Sequence, residues 1–123
     1  MSVRGIRGAI TVDANNAQEI ANATLEMMRA IVAQNEIVPS DISSVMITVT
    51  NDLDAAFPAQ CIRQLEGWEY VPLMCALEVP VKGSLELCIR FMVLVNTDKS
   101  QKEINHVYLG GAQALRPDLS NVK

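Results

Sequence analysis

The sequence predicts an α+β fold: a mixed β-sheet with two main helices on one face. Three observations predict it. One segment shows helical apolar spacing with an N-terminal cap. One strand, within Leu85–Asn96, is apolar on both faces, which suits the centre of a sheet. The order of elements reads β-α-β-α-β-β-β, with a further short strand after it.

Val3–Val12 (VRGIRGAITV) is rich in valine, isoleucine and threonine and reads as a strand. Gly5 and Gly8 mark a bulge or a close backbone approach. Asn16 with Glu19 three residues on has the form of a capping box. Ile20, Ala23, Met27, Met28 and Ile31 then recur at helical spacing, so a helix is expected over Ala17–Asn35. The methionine pair reads as core filling. Pro39-Ser40-Asp41 breaks the chain, and Ser44–Thr50 is a β-branched strand. Asn51–Ala56 is a loop, and Pro58 suits the first turn of a second helix ending near Glu66, before Gly67. Trp68–Val79 is expected to be mostly extended and Lys82-Gly83-Ser84 to be a turn. Leu85–Asn96 is the long strand, and Lys99–Glu103 a short helical or loop connection. Ile104–Leu109 and Ala112–Leu115 read as short strands split by Gly110-Gly111. The tail 116–123 carries Pro117 and little that can pack, and mobility is expected there.

The bulk composition narrows function by exclusion. The 123 residues suffice for one domain, 1–123, with one core. Half the chain is hydrophobic and the net charge is −4, which opposes general nucleic-acid binding. No apolar run reaches the ~18–20 residues of a membrane span, and no signal peptide is read at the start. Cys61, Cys75 and Cys88 show no metal spacing, so reduced thiols and a cytoplasmic location are expected. His106 is the single histidine, which leaves little room for triads or histidine-ligated metals. Neither a P-loop nor a GxGxxG fingerprint occurs. No cofactor and no metal are expected.

Arg90 stands out. It is the one permanent cation within LCIRFMVLV (Leu87–Val95). Alternation puts Glu86, Cys88, Arg90, Met92 and Leu94 on one face, and Ile89, Phe91, Val93 and Val95 on the other. Breaking a buried ion pair costs about 3–5 kcal/mol, so Arg90 needs a partner. Two readings stay open: a structural pair with Glu78, or a site held for an anionic ligand. Arg7, Arg63 and Arg116 each read as ordinary arginines or as further cations of such a site. Tyr108 reads as half-buried core, and Cys75 as packing with nothing beside it to lower its pKa. The inventory is rich in arginine and poor in acid–base groups. It suits a small polyanion and a reaction driven by positioning and electrostatics.

Six motifs, VRGIRGAITV, DLDAAFPAQCIRQL, GWEYVPLMCALEVPV, CIRFMVLVNTD, HVYL and LRPDL, run in order over nearly the whole chain. In their order and spacing the sequence resembles the monofunctional chorismate mutases of the trimeric, mixed α/β type. The resemblance implies a cofactor-free Claisen rearrangement of chorismate to prephenate in aromatic amino-acid biosynthesis. It implies a homotrimeric pseudo-α/β-barrel, similar to the imine-deaminase-like trimers, with sites in the clefts between subunits. It places Arg90 at the ether oxygen and a carboxylate, Arg7 at the side-chain carboxylate, and Glu78 with the backbone near Cys75 at the ring hydroxyl. Tyr108 falls near a carboxylate, Phe57 becomes an apolar wall, and Arg63 a cation at the entrance. Leu115 and Arg116 belong to a closing tail. Gln60 departs from the pattern, since relatives commonly carry lysine there. Cys75 and Glu78 lie three residues apart, so for both to reach one hydroxyl the strand must end or kink by Cys75. The rival reading is a small-molecule binding or regulatory trimer on a similar fold.

Overall fold

The computed structural model describes residues 1–115. Its elements are β1 (Ser2–Thr11), α1 (Ala17–Asn35), β2 (Ile42–Val49), α2 (Pro58–Arg63), β3 (Leu73–Leu77), β4 (Cys88–Thr97) and β5 (Val107–Leu109). Short 3₁₀ turns cover Pro39–Asp41, Gln101–Glu103 and Gly110–Ala114. The sheet order is β3-β2-β4-β1-β5, with β4 central. β4 runs antiparallel to both β1 and β2, while β2/β3 and β1/β5 are parallel. The mixed sheet is therefore as expected.

Local chemistry sets the boundaries. Asn16 Oδ1 accepts the Glu19 N–H at 2.8 Å and opens α1. Glu36, at φ 53°, ends it, and Lys99 Nζ donates to the freed Asn35 carbonyl at 2.6 Å. Ile20, Met27, Met28 and Ile31 of α1 are buried against Ile6, Ile47, Ile89 and Val93 of the sheet. Gly8 permits that contact, because a Cβ there would sit 2.6 Å from Met27 Cε and 2.9 Å from Ile31 Cδ1.

Four expectations need correction. α2 stops at Arg63, short of Glu66, because the chain tightens: the Gln64 and Leu65 N–H groups donate to the Cys61 and Ile62 carbonyls. Residues 68–72 form no strand; the Val71 N–H turns back to the Trp68 carbonyl while the indole buries. β4 begins at Cys88, because Leu87 adopts a left-handed φ of 51°. Ala112–Leu115 is not a strand: Gly110 (φ 58°) starts a 3₁₀ turn, and the Gly111 N–H donates to Thr11 Oγ1. Among the described residues, no helix is long and apolar enough to cross a membrane.

Candidate active site on the uncovered sheet face

The helices leave one sheet face open, and Arg90 projects onto it. Register explains its company. Arg90 lies opposite Ala9 of β1 and Thr48 of β2, and Met92 lies opposite Arg7 and Met46. Tyr108 lies opposite Ala9 in the parallel β1/β5 pair. Alternation thus brings Arg7, Arg90, Tyr108 and Thr48 to one face. They surround a cavity of about 470 Å³, with Met46, Met92 and Leu115 supplying apolar wall.

Hydrogen bonds fix Glu78 and the Arg7 backbone. Glu78 lies just past β3, where its N–H donates to the Val49 carbonyl at 2.8 Å. Its Oε2 accepts the Thr48 hydroxyl at 2.6 Å and stands 3.6 Å from Arg90 Nε. The Arg7 N–H donates to His106 Nδ1 at 2.9 Å, so an imidazole completes the strand edge where β5 has not yet begun. Cys88, Ala9, Tyr108 and Ala112 form a small buried cluster behind Arg90, with Leu85 and Leu115 packed on it. Burial pushes the Cys88 thiol pKa up, and the Arg90 charge beside it acts in the opposite sense.

The Arg90–Glu78 pair does not satisfy Arg90. The ion pair is too long for a hydrogen bond, and Arg90 Nε is buried with no hydrogen-bond partner among the described residues. The Arg90 side chain nevertheless keeps 43% of its surface open and Glu78 keeps 25%. So exposed a pair stabilises by at most about 1 kcal/mol, whereas an unmet buried donor costs about 1–3 kcal/mol. Arg90 therefore stands beside a carboxylate, partly open, and lines the cavity.

The other candidates lie elsewhere. Cys75 pairs in register with the buried Ile47, so its side chain points to the helix-covered face, opposite to Glu78. The expected kink at Cys75 is absent, because β3 stays regular through Leu77. Cys75, Phe57, Gln60, Leu53 and Leu77 line a second cavity of about 660 Å³. Phe57 is 73% exposed, and Arg63 is exposed at the end of α2. Arg116 and the tail 116–123 lie outside the described residues. Thr48 and His106 were not singled out from sequence as site residues. Thr48 could have been found from its register with Arg90; a histidine that accepts from a strand N–H has no local signature.

Fold and cavity define a class: a small α+β protein with two arginines, Arg7 and Arg90, lining a cavity on the open face of a mixed sheet. Residues 3–119 match the family model for chorismate mutase type I, and the chain belongs to that family. The family's activity is chorismate mutase, in aromatic amino-acid biosynthesis. The chain is similar to the chorismate mutase of Bacillus subtilis, with 45% identity over the whole chain and 97% of that protein. It is 47% identical to the chorismate mutase of Thermus thermophilus over 98% of this chain and 99% of that one. Among solved structures, a chorismate mutase from Clostridium thermocellum superposes with a TM-score of 0.87 at 50% identity, covering 90% of this chain and 98% of that one.

Proposed function

We propose that this chain rearranges chorismate to prephenate in the cavity around Arg90. The reaction is concerted: the ether C–O bond breaks as a C–C bond forms, and no proton moves. Negative charge grows on the ether oxygen, so a cation fixed there stabilises the transition state more than the ground state. Arg90 supplies that cation. Arg7 and Tyr108 hold the carboxylates, and Glu78, with lone pairs left beyond Thr48, accepts the ring hydroxyl. Leu115 adds apolar wall to the site. One observation carries the reading: Arg7, Arg90 and Tyr108 line one cavity of about 470 Å³ on the open sheet face, with an apolar wall of Met46, Met92 and Leu115.

The same proposal includes a homotrimer acting as one domain per chain in the cytoplasm. Met74, Met46 and Met92 form a cross-strand row on the open face, exposed beside Val3 and Leu94. A second copy is a natural cover for such a patch. Phe57, Arg63 and the backbone near Cys75 then serve the site of a neighbouring copy, consistent with their lying outside the lining of the Arg90 cavity. The three free cysteines suit a reducing compartment. Purified protein should consume chorismate, seen as loss of its ultraviolet absorbance, in chelator-treated buffer. Folded protein without turnover would overturn the reading. Light scattering should give three times the chain mass, and a monomer would remove the trimer from it.

A further inference from the structure

Leu87 is one of two described non-glycine residues with positive φ. Such a conformation costs about 1–3 kcal/mol and persists only where its surroundings impose it. Here the surroundings are specific. The Leu87 N–H donates to both carboxylate oxygens of Asp52, at 3.2 and 3.0 Å. A charged acceptor makes these bonds roughly twice as strong as neutral ones. Asp52 also accepts the Thr50 hydroxyl, and Thr50 Oγ1 in turn accepts the Cys88 N–H at 3.0 Å. The Thr50 N–H donates to the Cys88 carbonyl at 3.1 Å, and the Leu87 carbonyl accepts the Val12 N–H at 2.9 Å.

Residues 78–87 form an irregular loop with Glu78 at one end and the start of β4 at the other. The alternate residues Thr48, Thr50 and Asp52 act as a polar comb against both ends. Thr48 holds Glu78, while Thr50 and Asp52 fix where the chain re-enters the sheet, two or three residues before Arg90. No role in the site described above uses Asp52.

We propose that Asp52 is a positioning residue for Arg90. Through Leu87, and with Thr50 through Cys88, its carboxylate sets the start of β4 so that the guanidinium meets the ether oxygen. This rests on the functional reading given above. Misplacing a reacting group by about 1 Å can cost 10²-fold in rate, so a small slip at Leu87 is enough to matter.

The test uses Asp52→Asn, Asp52→Ala, Thr50→Val and Thr50→Ser in the full chain. Asp52→Asn and Thr50→Val keep size and are the variants to rely on if Asp52→Ala does not fold. Asp52→Asn and Thr50→Val should lower kcat by about tenfold or more and change KM much less. Thr50→Ser, which keeps the hydroxyl, should restore turnover. Read by NMR without substrate, the Arg90 Nε–H should exchange with water several-fold faster in Asp52→Asn than in wild type. Unchanged exchange, or wild-type kcat in Asp52→Asn and Thr50→Val with only a lowered melting temperature, would overturn the proposal. The exchange measurement decides it even if wild-type protein leaves chorismate untouched, a result that would strike the functional reading alone.

Discussion

The two faces of the sheet are built from the same strands to opposite ends. On the helix-covered face, Ile89, Phe91, Val93 and Val95 of β4 are at most 3% exposed and lock into the core under α1. On the open face, Arg90, Met92 and Leu94 alternate with them and stay in reach of solvent; Met92 and Leu94 are 38% and 37% exposed. The first face satisfies itself within the chain. The second holds an arginine whose Nε has no hydrogen-bond partner among the described residues, and a row of exposed methionines. A period of two thus lets one strand carry stability on one side and chemistry on the other. Changes to one face should therefore leave the other largely intact.

The largest expected effect lies on the open face. Arg90→Ala should lower kcat by about 10²–10³-fold, the usual loss for one transition-state donor, with a melting temperature close to wild type. A collapse in stability instead would break the separation of faces. Gly8→Ala probes the covered face next. Its Cβ would press Met27 and Ile31 in the core, which should destabilise by about 1–3 kcal/mol in urea unfolding. Gly5→Ala, whose Cβ meets Met92 Sδ at 3.2 Å on the open face, should cost less, and the reverse order would refute the assignment of faces. A milder probe is Ile89→Val, one residue before Arg90. It should lower stability by about 0.5–1.5 kcal/mol and leave kcat unchanged, as steady-state kinetics beside a melt would show.

The smallest effect belongs to neither face. Hydrogen bonds from the Ser100 N–H and then from its side chain hold the Glu103 carboxyl below its usual pKa, in a capping box. A depressed folded value stabilises above the unfolded pKa, and that contribution is lost as pH falls through the folded one. Glu103→Gln should flatten stability against pH in the acid range and leave turnover alone. An unchanged acid profile would remove the effect.

Much of this division was legible in the sequence, where period and partner chemistry are local. The α1 boundaries followed from the Asn16 cap and apolar spacing. The faces of β4 followed from alternation, and the Arg90–Glu78 proximity matches one of two open readings, a carboxylate at the end of the preceding strand beside an arginine that needs one. Elements fixed by long-range hydrogen bonds were not legible. β-propensity cannot show that Asp52 holds Leu87 left-handed and delays β4. Nor can it show that Thr11 draws Gly111 into a turn rather than a strand. Cys75 and Phe57 were grouped with Arg90 by family likeness, yet strand parity sends Cys75 to the opposite face of the chain.

Whether Arg90 is the cation that meets the developing charge is tested most directly by Arg90→Lys measured beside Arg90→Ala. Lysine restores a charge but not the planar fork. With chorismate as substrate, kcat should fall strongly in both variants and recover in part for lysine, with KM moving less than kcat. Near-normal turnover in both variants would contradict the account and leave Arg90 a structural residue.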